Sequence, residues 1–428
     1  MTLGVGPSPR SRLLAYCLYD FGNSAFTTII VTVVYSVYFR TQVAAGHPTP
    51  DLLWGFAVSL AMGLVAIVAP VLGARADEYG SRHTYLIGFT LLSVVATAGL
   101  VWVGPGNLFL GILLFVIAHV GYAGGEAFYN AFLPDVAEPH RIGFVSGLAW
   151  GVGYFGGLLS LLVAVSLLGS GPTADTSVLG HQLVFIAVAA QYLLFTSPAL
   201  LLLRDRRGRA PSRARTLERL LRTLREARQF RQVFRFLIAY FLYDNGLSVI
   251  IAFTSIYMST TLGFSMREII NLFVFLQLTS AAGALASGAW ADRFGTRRAI
   301  IATLILWIGI VVGMAITESR SIFKVIALVG GLGIGSTQAC SRALLAHLVP
   351  ETKRAEFFGL FAFCTKASGV LGPPLFGFVS DWTGSARLAM MSVLFFFISG
   401  LILLLFVDED EGRRIASQYR ETPASSPA

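Results

Sequence analysis

An all-α integral membrane fold, with twelve transmembrane helices in two pseudo-symmetric six-helix bundles, is predicted by three observations. The chain of 428 residues is 55% hydrophobic and only 13% charged, with a mean hydropathy of +0.71. Its apolar residues come in repeated runs of helix length. Short motifs of the first half recur in the second half in the same order. A water-soluble chain carries roughly a quarter of its residues as charges. This one could not bury its apolar side chains in a single core, so lipid is the expected solvent.

A bilayer core of about 30 Å takes roughly 20 apolar residues per helix. Runs that meet this need fall at 13–39, 51–73, 83–103, 107–133, 141–168 and 181–203, then at 232–258, 266–290, 299–318, 321–348, 355–381 and 386–406. The first run is too long for the apolar core of a cleavable leader and is expected to remain as a helix. Cys17, Cys340 and Cys364 all sit inside such runs. Their odd number argues against a disulfide framework. The predicted organisation is an amino-terminal bundle over 1–203, a basic cytoplasmic linker over 204–231, a carboxy-terminal bundle over 232–407 and a disordered cytoplasmic tail over 408–428.

Orientation follows from the basic residues. With the amino terminus inside, the cytoplasmic segments hold Arg10, Arg12, Arg75, Arg82, Arg141, the arginines between Arg204 and Arg235, Arg293, Arg297, Arg298, Lys353, Arg354, Arg413 and Arg414. The opposite side holds only Arg40, Arg267, Arg320, Lys324 and Arg387. Positive charge collects on the cytoplasmic side, so both termini are placed there. The net charge of +9 therefore follows from topology and does not call for a nucleic acid partner. In the linker, Leu217, Leu220, Leu221 and Leu224 follow helical spacing among arginines. Two readings stay open: an amphipathic helix on anionic lipid, or a solvated basic connector. Lysine is scarce, at positions 324, 353 and 366 only, a bias that suggests a bacterial source and an inner membrane.

The repeat is specific. Gly73-Ala74-Arg75-Ala76-Asp77-Glu78-Tyr79-Gly80-Ser81-Arg82 recurs as Gly288-Ala289-Trp290-Ala291-Asp292-Arg293-Phe294-Gly295-Thr296-Arg297, each time between the second and third helix of its half. Tyr19-Asp20-Phe21-Gly22 recurs as Tyr243-Asp244-Asn245-Gly246, and the loop from Asp135 to Arg141 has a counterpart from Glu351 to Arg354. Such internal symmetry places a binding site between the halves near the midplane. The glycines allow close approach and tight turns, while the acids and arginines can pair with each other and with helix ends. Gly73, Asp77, Gly80, Arg82, Asp135, Arg141, Gly288, Asp292, Gly295, Arg297, Glu351 and Arg354 are therefore expected to form a cytoplasmic gate that closes and opens as the halves rock.

The duplicated loop resembles the signature loop of the major facilitator superfamily, along essentially the whole chain. A narrower resemblance, to the vacuole-effluxer-like branch, rests on Tyr19-Asp20-Phe21-Gly22-Asn23-Ser24-Ala25-Phe26, which is similar to that branch's Tyr-Asp-Trp-Ala-Asn-Ser-Ala-Phe opening. Further motifs that resemble it are Phe128 to Pro134, Gln338 to Arg342 and Ala355 to Gly359. The resemblance implies the facilitator fold and transport, with amino-acid efflux as the branch's substrate class. One departure is that the branch usually reads Tyr-Asn-Asp-Gly where this chain has Tyr243-Asp244-Asn245-Gly246. A shift of one residue turns the acid by about 100° around its helix.

Few ionisable groups lie within the spans: Asp20, His119, Glu126, Asp244, Arg342 and Lys366. A charge at the bilayer centre costs roughly 2.5–3.5 kcal/mol, so these groups must face protein, a wet cavity or one another. Lys366, near the middle of its helix, is a candidate ligand for an anionic group of a substrate or the partner of an acid that substrate displaces, with a permanent structural salt bridge as the other reading. Arg342 is a second candidate for a carboxylate, or a gate residue. Asp20 with Asn23, and Glu126 with Asn130, share helical faces; they and Asp244 are candidates for binding an amine or carrying a coupling proton. His119 reads as an interior histidine. Tyr19, Tyr122, Tyr129, Trp150, Tyr154 and Tyr243 are candidate cavity-lining aromatics. Gly372-Pro373-Pro374 should kink its helix, giving the fifth helix of the second half a candidate hinge.

No phosphate-binding loop, metal-ligand spacing or nucleophile motif is present, so neither a cofactor, a metal nor an enzymatic activity is expected. The sequence is read as a secondary transporter for a small polar or zwitterionic metabolite, working as a monomer in the lipid bilayer and drawing on an ion gradient or exchange, with a proton as candidate coupling ion. Efflux of amphiphilic drugs or lysolipids is the alternative within transport. A non-transporting membrane receptor or scaffold is the alternative outside it.

Overall fold

The computed structural model describes residues 8–79, 81–137, 142–168, 178–205, 230–350 and 354–419. Twelve long helices dominate these residues. The first half holds α1 (Pro9–Val43), α2 (Pro50–Tyr79), α3 (Arg82–Trp102), α4 (Leu108–Asn130), α5 (Ile142–Leu168) and α6 (Val178–Leu202). The second holds α7 (Arg231–Thr260), α8 (Met266–Phe294), α9 (Thr296–Ile316), α10 (Arg320–Leu348), α11 (Arg354–Thr383) and α12 (Ala386–Leu405). Eleven are long and apolar enough to cross a membrane. The exception, α11, is diluted by Lys366, Ser368, Pro373 and Pro374. The two-bundle fold expected from the sequence is present, and each apolar run maps onto one helix.

Lipid as solvent explains the burial pattern. Large apolar side chains such as Val95, Leu285 and Trp382 stand 69%, 78% and 78% exposed along the spans. Hydroxyl and amide groups such as Thr90, Asn245, Thr337, Ser341 and Ser368 are buried and hydrogen-bonded. Without water at this depth, polar groups must turn inward and find protein partners.

Three features depart from the sequence reading. First, α1 is not a uniform α-helix: Phe26–Val33 and Phe39–Val43 wind as π-helix. The run Thr27–Val34 is mostly β-branched, and such side chains crowd their neighbours three and four residues away. The wider winding relieves that crowding, and the Thr32 hydroxyl reaches back five residues to the Thr27 carbonyl at 2.9 Å. Second, α4 ends at Asn130 rather than at 133, and a separate short turn of helix, Leu133–Val136, starts around Pro134, where the ring suits a first helical turn.

Third, the tail expected to lack structure from 408 onward forms a helix, α13 (Glu409–Gln418). Asp408 caps it by accepting from the Glu411 N–H at 2.9 Å, and three acids fill its first turn, where the helix dipole favours them. It docks because Gln232 of α7 hydrogen-bonds both the Asp408 N–H and the Glu411 carboxylate, Gly412 lies flat on Leu348, and Tyr419 meets the Phe230 ring. Residues 420–428, and the linker helix read into 217–224, lie outside the described residues.

Candidate functional site

Each half contributes charged groups toward the plane between the bundles. Glu126, on α4, forms an ion pair with Lys366 on α11, joining the two halves. The side chains keep 20% and 17% of their surface accessible, so the pair is not sealed within the packing. The Lys366 ammonium also stands 6.0 Å from the centre of the Tyr122 ring. A second inter-half contact is a cation–π stack: the Arg342 guanidinium of α10 lies 4.7 Å over the Trp150 ring of α5. Its Nε donates to its own helix at the Gln338 carbonyl, 3.2 Å away.

Asp20, on α1, accepts from the Tyr129 hydroxyl at 3.0 Å, and that hydroxyl also contacts the Tyr16 carbonyl at 3.0 Å. The Tyr129 ring is sandwiched between Tyr16 and Tyr19, at 4.1 and 4.4 Å. Tyr19 in turn bonds Thr90 of α3. Asp20 is therefore half-buried on a rigid aromatic base. Asn23 is buried one turn away, and Asn130 is exposed at the end of α4.

Asp244 is placed differently. It is buried and accepts from the Ser368 hydroxyl of α11, in its own half. The neighbouring Asn245 accepts from the Gly372 N–H at 3.0 Å and donates to the Phe241 carbonyl at 2.7 Å. The order Asp-Asn thus points both polar groups at α11, the acid toward Ser368 and the amide toward Gly372 beside the proline pair. Of the six aromatics expected to line the cavity, Tyr19, Tyr129 and Tyr243 are fully buried and belong to the packing. Tyr122, Trp150 and Tyr154 remain accessible. His119 is buried among Phe26, Phe115 and Tyr122.

Among the described residues, the signature-loop arginines Arg82 and Arg297 make their contacts within their own halves. Arg82 donates to Asp135 at 2.8 Å, to Asp205 at 2.9 Å and to the Ala131 carbonyl at 2.9 Å. Asp205, just past α6, also takes the His83 N–H at the start of α3. In the second half, Glu409, just past α12, takes the Arg297 N–H at the start of α9. The Arg297 side chain donates to the Leu404 and Leu405 carbonyls. Gly295 turns this loop with φ of +95°, a region that favours glycine. Gly73 meets open space. Gly80, Arg141 and Glu351 lie outside the described residues, as do the side chains of Asp77, Asp292 and Arg354 and the surroundings of Gly288.

Sequence reasoning missed the contacts that close the opposite end. The Asp381 carboxylate of α11 caps α2, accepting from the Asp51 and Leu52 N–H groups at 3.4 and 2.7 Å. Asp51 itself pairs with Arg40 and accepts from Ser380. Trp54 donates to the Ala252 carbonyl of α7 at 3.0 Å, and Ser59 to the Val370 carbonyl of α11 at 2.7 Å. Glycines make this fit possible: a Cβ on Gly55 would stand 2.4 Å from the Pro373 carbonyl oxygen, and one on Gly377 2.4 Å from that of Asp51. At the signature-loop end, by contrast, Gly147 of α5 and Gly359 of α11 meet open space.

A cavity of about 800 Å³ lies away from the midplane, at the seat of α13. Its charged walls, including Arg297, His347, Glu409 and Arg413, are already engaged with one another.

With this geometry in view, comparison with known proteins is decisive for the family. A family model described as "Vacuole effluxer Atg22 like" matches residues 53–417. The chain belongs to that family. The MFS-type transporter YxiO of Bacillus subtilis is 28% identical over 420 residues, covering 96% of this chain and 97% of YxiO. Autophagy-related protein 22 of Coccidioides immitis is 24% identical over 455 residues, covering 86% of this chain and 74% of its own. Among solved structures, a D-xylose–proton symporter superposes with a TM-score of 0.74 at 16% identity, covering 94% and 99% of the two chains. A bacterial homologue of the human lysosomal transporter Spinster, in an inward-facing unoccupied conformation, superposes with a TM-score of 0.64 at 16% identity, covering 97% and 98%. At such identities the structures establish the fold alone. This vacuole-effluxer family member is a multi-pass membrane transporter of the major facilitator type.

Proposed function

We propose that this transporter exports a small zwitterionic, amino-acid-like metabolite by alternating access, with a proton as the coupling ion. The observation that carries the reading is the Glu126–Lys366 pair. Its two charges come from opposite halves and stay partly accessible. A zwitterion presents an ammonium and a carboxylate, so it can exchange places with the pair: its carboxylate takes Lys366 and Arg342, and its ammonium takes Glu126. Each buried charge then keeps a partner throughout, which avoids the cost of an isolated ion. Asp20, anchored by Tyr129, is the group we assign to proton carriage. The family description as effluxers supports the outward direction.

We further infer that the conformation is open to the cytoplasm. The hydrogen bonds of Asp51, Trp54 and Ser59 seal the end away from the signature loops, and the basic segments put those loops inside. The cytoplasmic gate expected of the loops then belongs to the opposite state, where the halves meet at that end. The test is flux into proteoliposomes under an imposed pH gradient, for a panel of amino acids and for lipophilic cations. Amino-acid movement that is lost in Lys366→Ala supports the reading. Movement of lipophilic cations alone would replace it with drug efflux.

A further inference from the structure

We propose that Ser59 is a positioning residue that latches the transport cycle: its one hydroxyl proton, given chiefly to the Val370 carbonyl, offsets part of the donor loss that Pro373 and Pro374 cause in α11. In an α-helix the N–H groups of residues 373 and 374 would bond the carbonyls of residues 369 and 370. Proline has no N–H, so both carbonyls lose their partners. The Ser59 hydroxyl of α2 lies 3.4 Å from the Gly369 oxygen and 2.7 Å from the Val370 oxygen, and Ser59 is buried. It reaches this position because Gly55, one turn earlier, lets the α2 backbone lie directly on Pro373. Gly369 likewise lies against Met62.

The proline-bearing turn of α11, which stays helical, is thus held from two sides that differ in kind. Asn245 of α7 takes the Gly372 N–H within the same half, a contact that rocking of the halves leaves intact. Ser59 comes from the other half, so its contact exists only while this end is closed. When the end opens, water entering the cleft takes over as donor to the freed carbonyls, as it can where backbone lines a wet cavity. The proline pair therefore creates a demand for a donor that Ser59 meets in one state and water in the other. Val370 is one helical turn from Lys366, so the latch sits directly above the group assigned to substrate.

The inference rests on alternating access and not on the identity of the substrate, and its test uses none. Spin labels at Ala45 and Thr383, on opposite halves at the closed end, would report the opening distance by pulsed dipolar spectroscopy in nanodiscs. Cys17, Cys340 and Cys364 would be replaced by serine in this background. Ser59→Ala should raise the open-to-closed ratio about tenfold, the equivalent of one buried hydroxyl–carbonyl bond, and Ser59→Thr should restore the distribution. In a Pro373→Ala/Pro374→Ala background, where the helix regains its own donors, Ser59→Ala should have no further effect. An unchanged distribution in Ser59→Ala, or an equal shift in the proline-free background, would overturn the proposal. If the proline-free protein fails to fold, the contrast between Ser59→Ala and Ser59→Thr still decides: equal shifts in both refute the hydroxyl's role.

Discussion

Removal of one charge from the inter-half pair should separate a structural role from a transport role. Lys366→Met leaves Glu126 at a place where only 20% of its side chain is accessible. Breaking a buried pair on one side costs about 3–5 kcal/mol, whereas replacing both partners is often neutral. The residual exposure of both side chains puts this pair at the low end, about 3 kcal/mol. For halves of this size that corresponds to a fall in melting temperature of roughly 6–12 °C. Glu126→Gln/Lys366→Met should recover most of that loss, and the cycle of single and double variants isolates the coupling. Flux should behave otherwise. Both single variants and the double variant should fail to move zwitterions, because the ligand for the carboxylate or the ammonium is gone. The assays are thermal unfolding in detergent and uptake by proteoliposomes. A double variant that is stable and also transports at the wild-type rate would refute the assignment and leave the pair purely structural. A Lys366→Met protein that melts like the wild type would show that the pair contributes nothing.

Four other outcomes follow from the geometry. Gly55→Val places a branched side chain where even a Cβ stands 2.4 Å from the Pro373 oxygen, so it should wedge the closed end apart, leave the melting temperature nearly unchanged and make added cysteines there reactive from outside; reactivity like the parent's would count against the close fit. Burial would raise the Glu409 carboxyl, but hydrogen bonds from His347, the Arg297 N–H and Arg413 hold it down at about 2. Its contribution is complete above the usual value of 4.5 and fades as pH falls from there toward about 2, so Glu409→Gln should melt lower at neutral pH and show a flatter acid limb. Arg82→Lys cannot span Asp135, Asp205 and the Ala131 carbonyl at once, and each lost charged hydrogen bond should cost about 1.5–3 kcal/mol in thermal unfolding; full stability would mean that one contact suffices. A carboxy-terminal green fluorescent protein fusion should fluoresce and an alkaline phosphatase fusion should be inactive; the reverse would invert the orientation and the conformational assignment with it.

The helices were legible because the bilayer imposes a length and a composition on each of them. The pairing of halves was legible because duplicated loops leave the same letters at the same place. Charges inside spans were legible as a group that must find partners, yet nothing local in the sequence could match Glu126 to Lys366 across 240 positions. The signature loops show a different limit. Their acids and arginines suggested a latch between halves, while the structure shows Arg82 and Arg297 tied to Asp135, Asp205 and carbonyls of their own halves. Residue types fix what a group can bond, and the state of the cycle decides which partner is near.

The closed end was illegible for a further reason, since Asp51, Ser59, Ser380 and Asp381 are ordinary residues at helix ends or within an apolar run. One signal was available. Pro373 and Pro374 announce not only a candidate kink in α11 but two carbonyls without their usual helical donors, and carbonyls at membrane depth require a donor from elsewhere. Read as a demand on a neighbouring helix, that pair of prolines points to a small hydroxyl residue on the facing surface. Ser59, one turn past Gly55, meets both requirements, since the glycine brings the backbones together and the serine fills the gap.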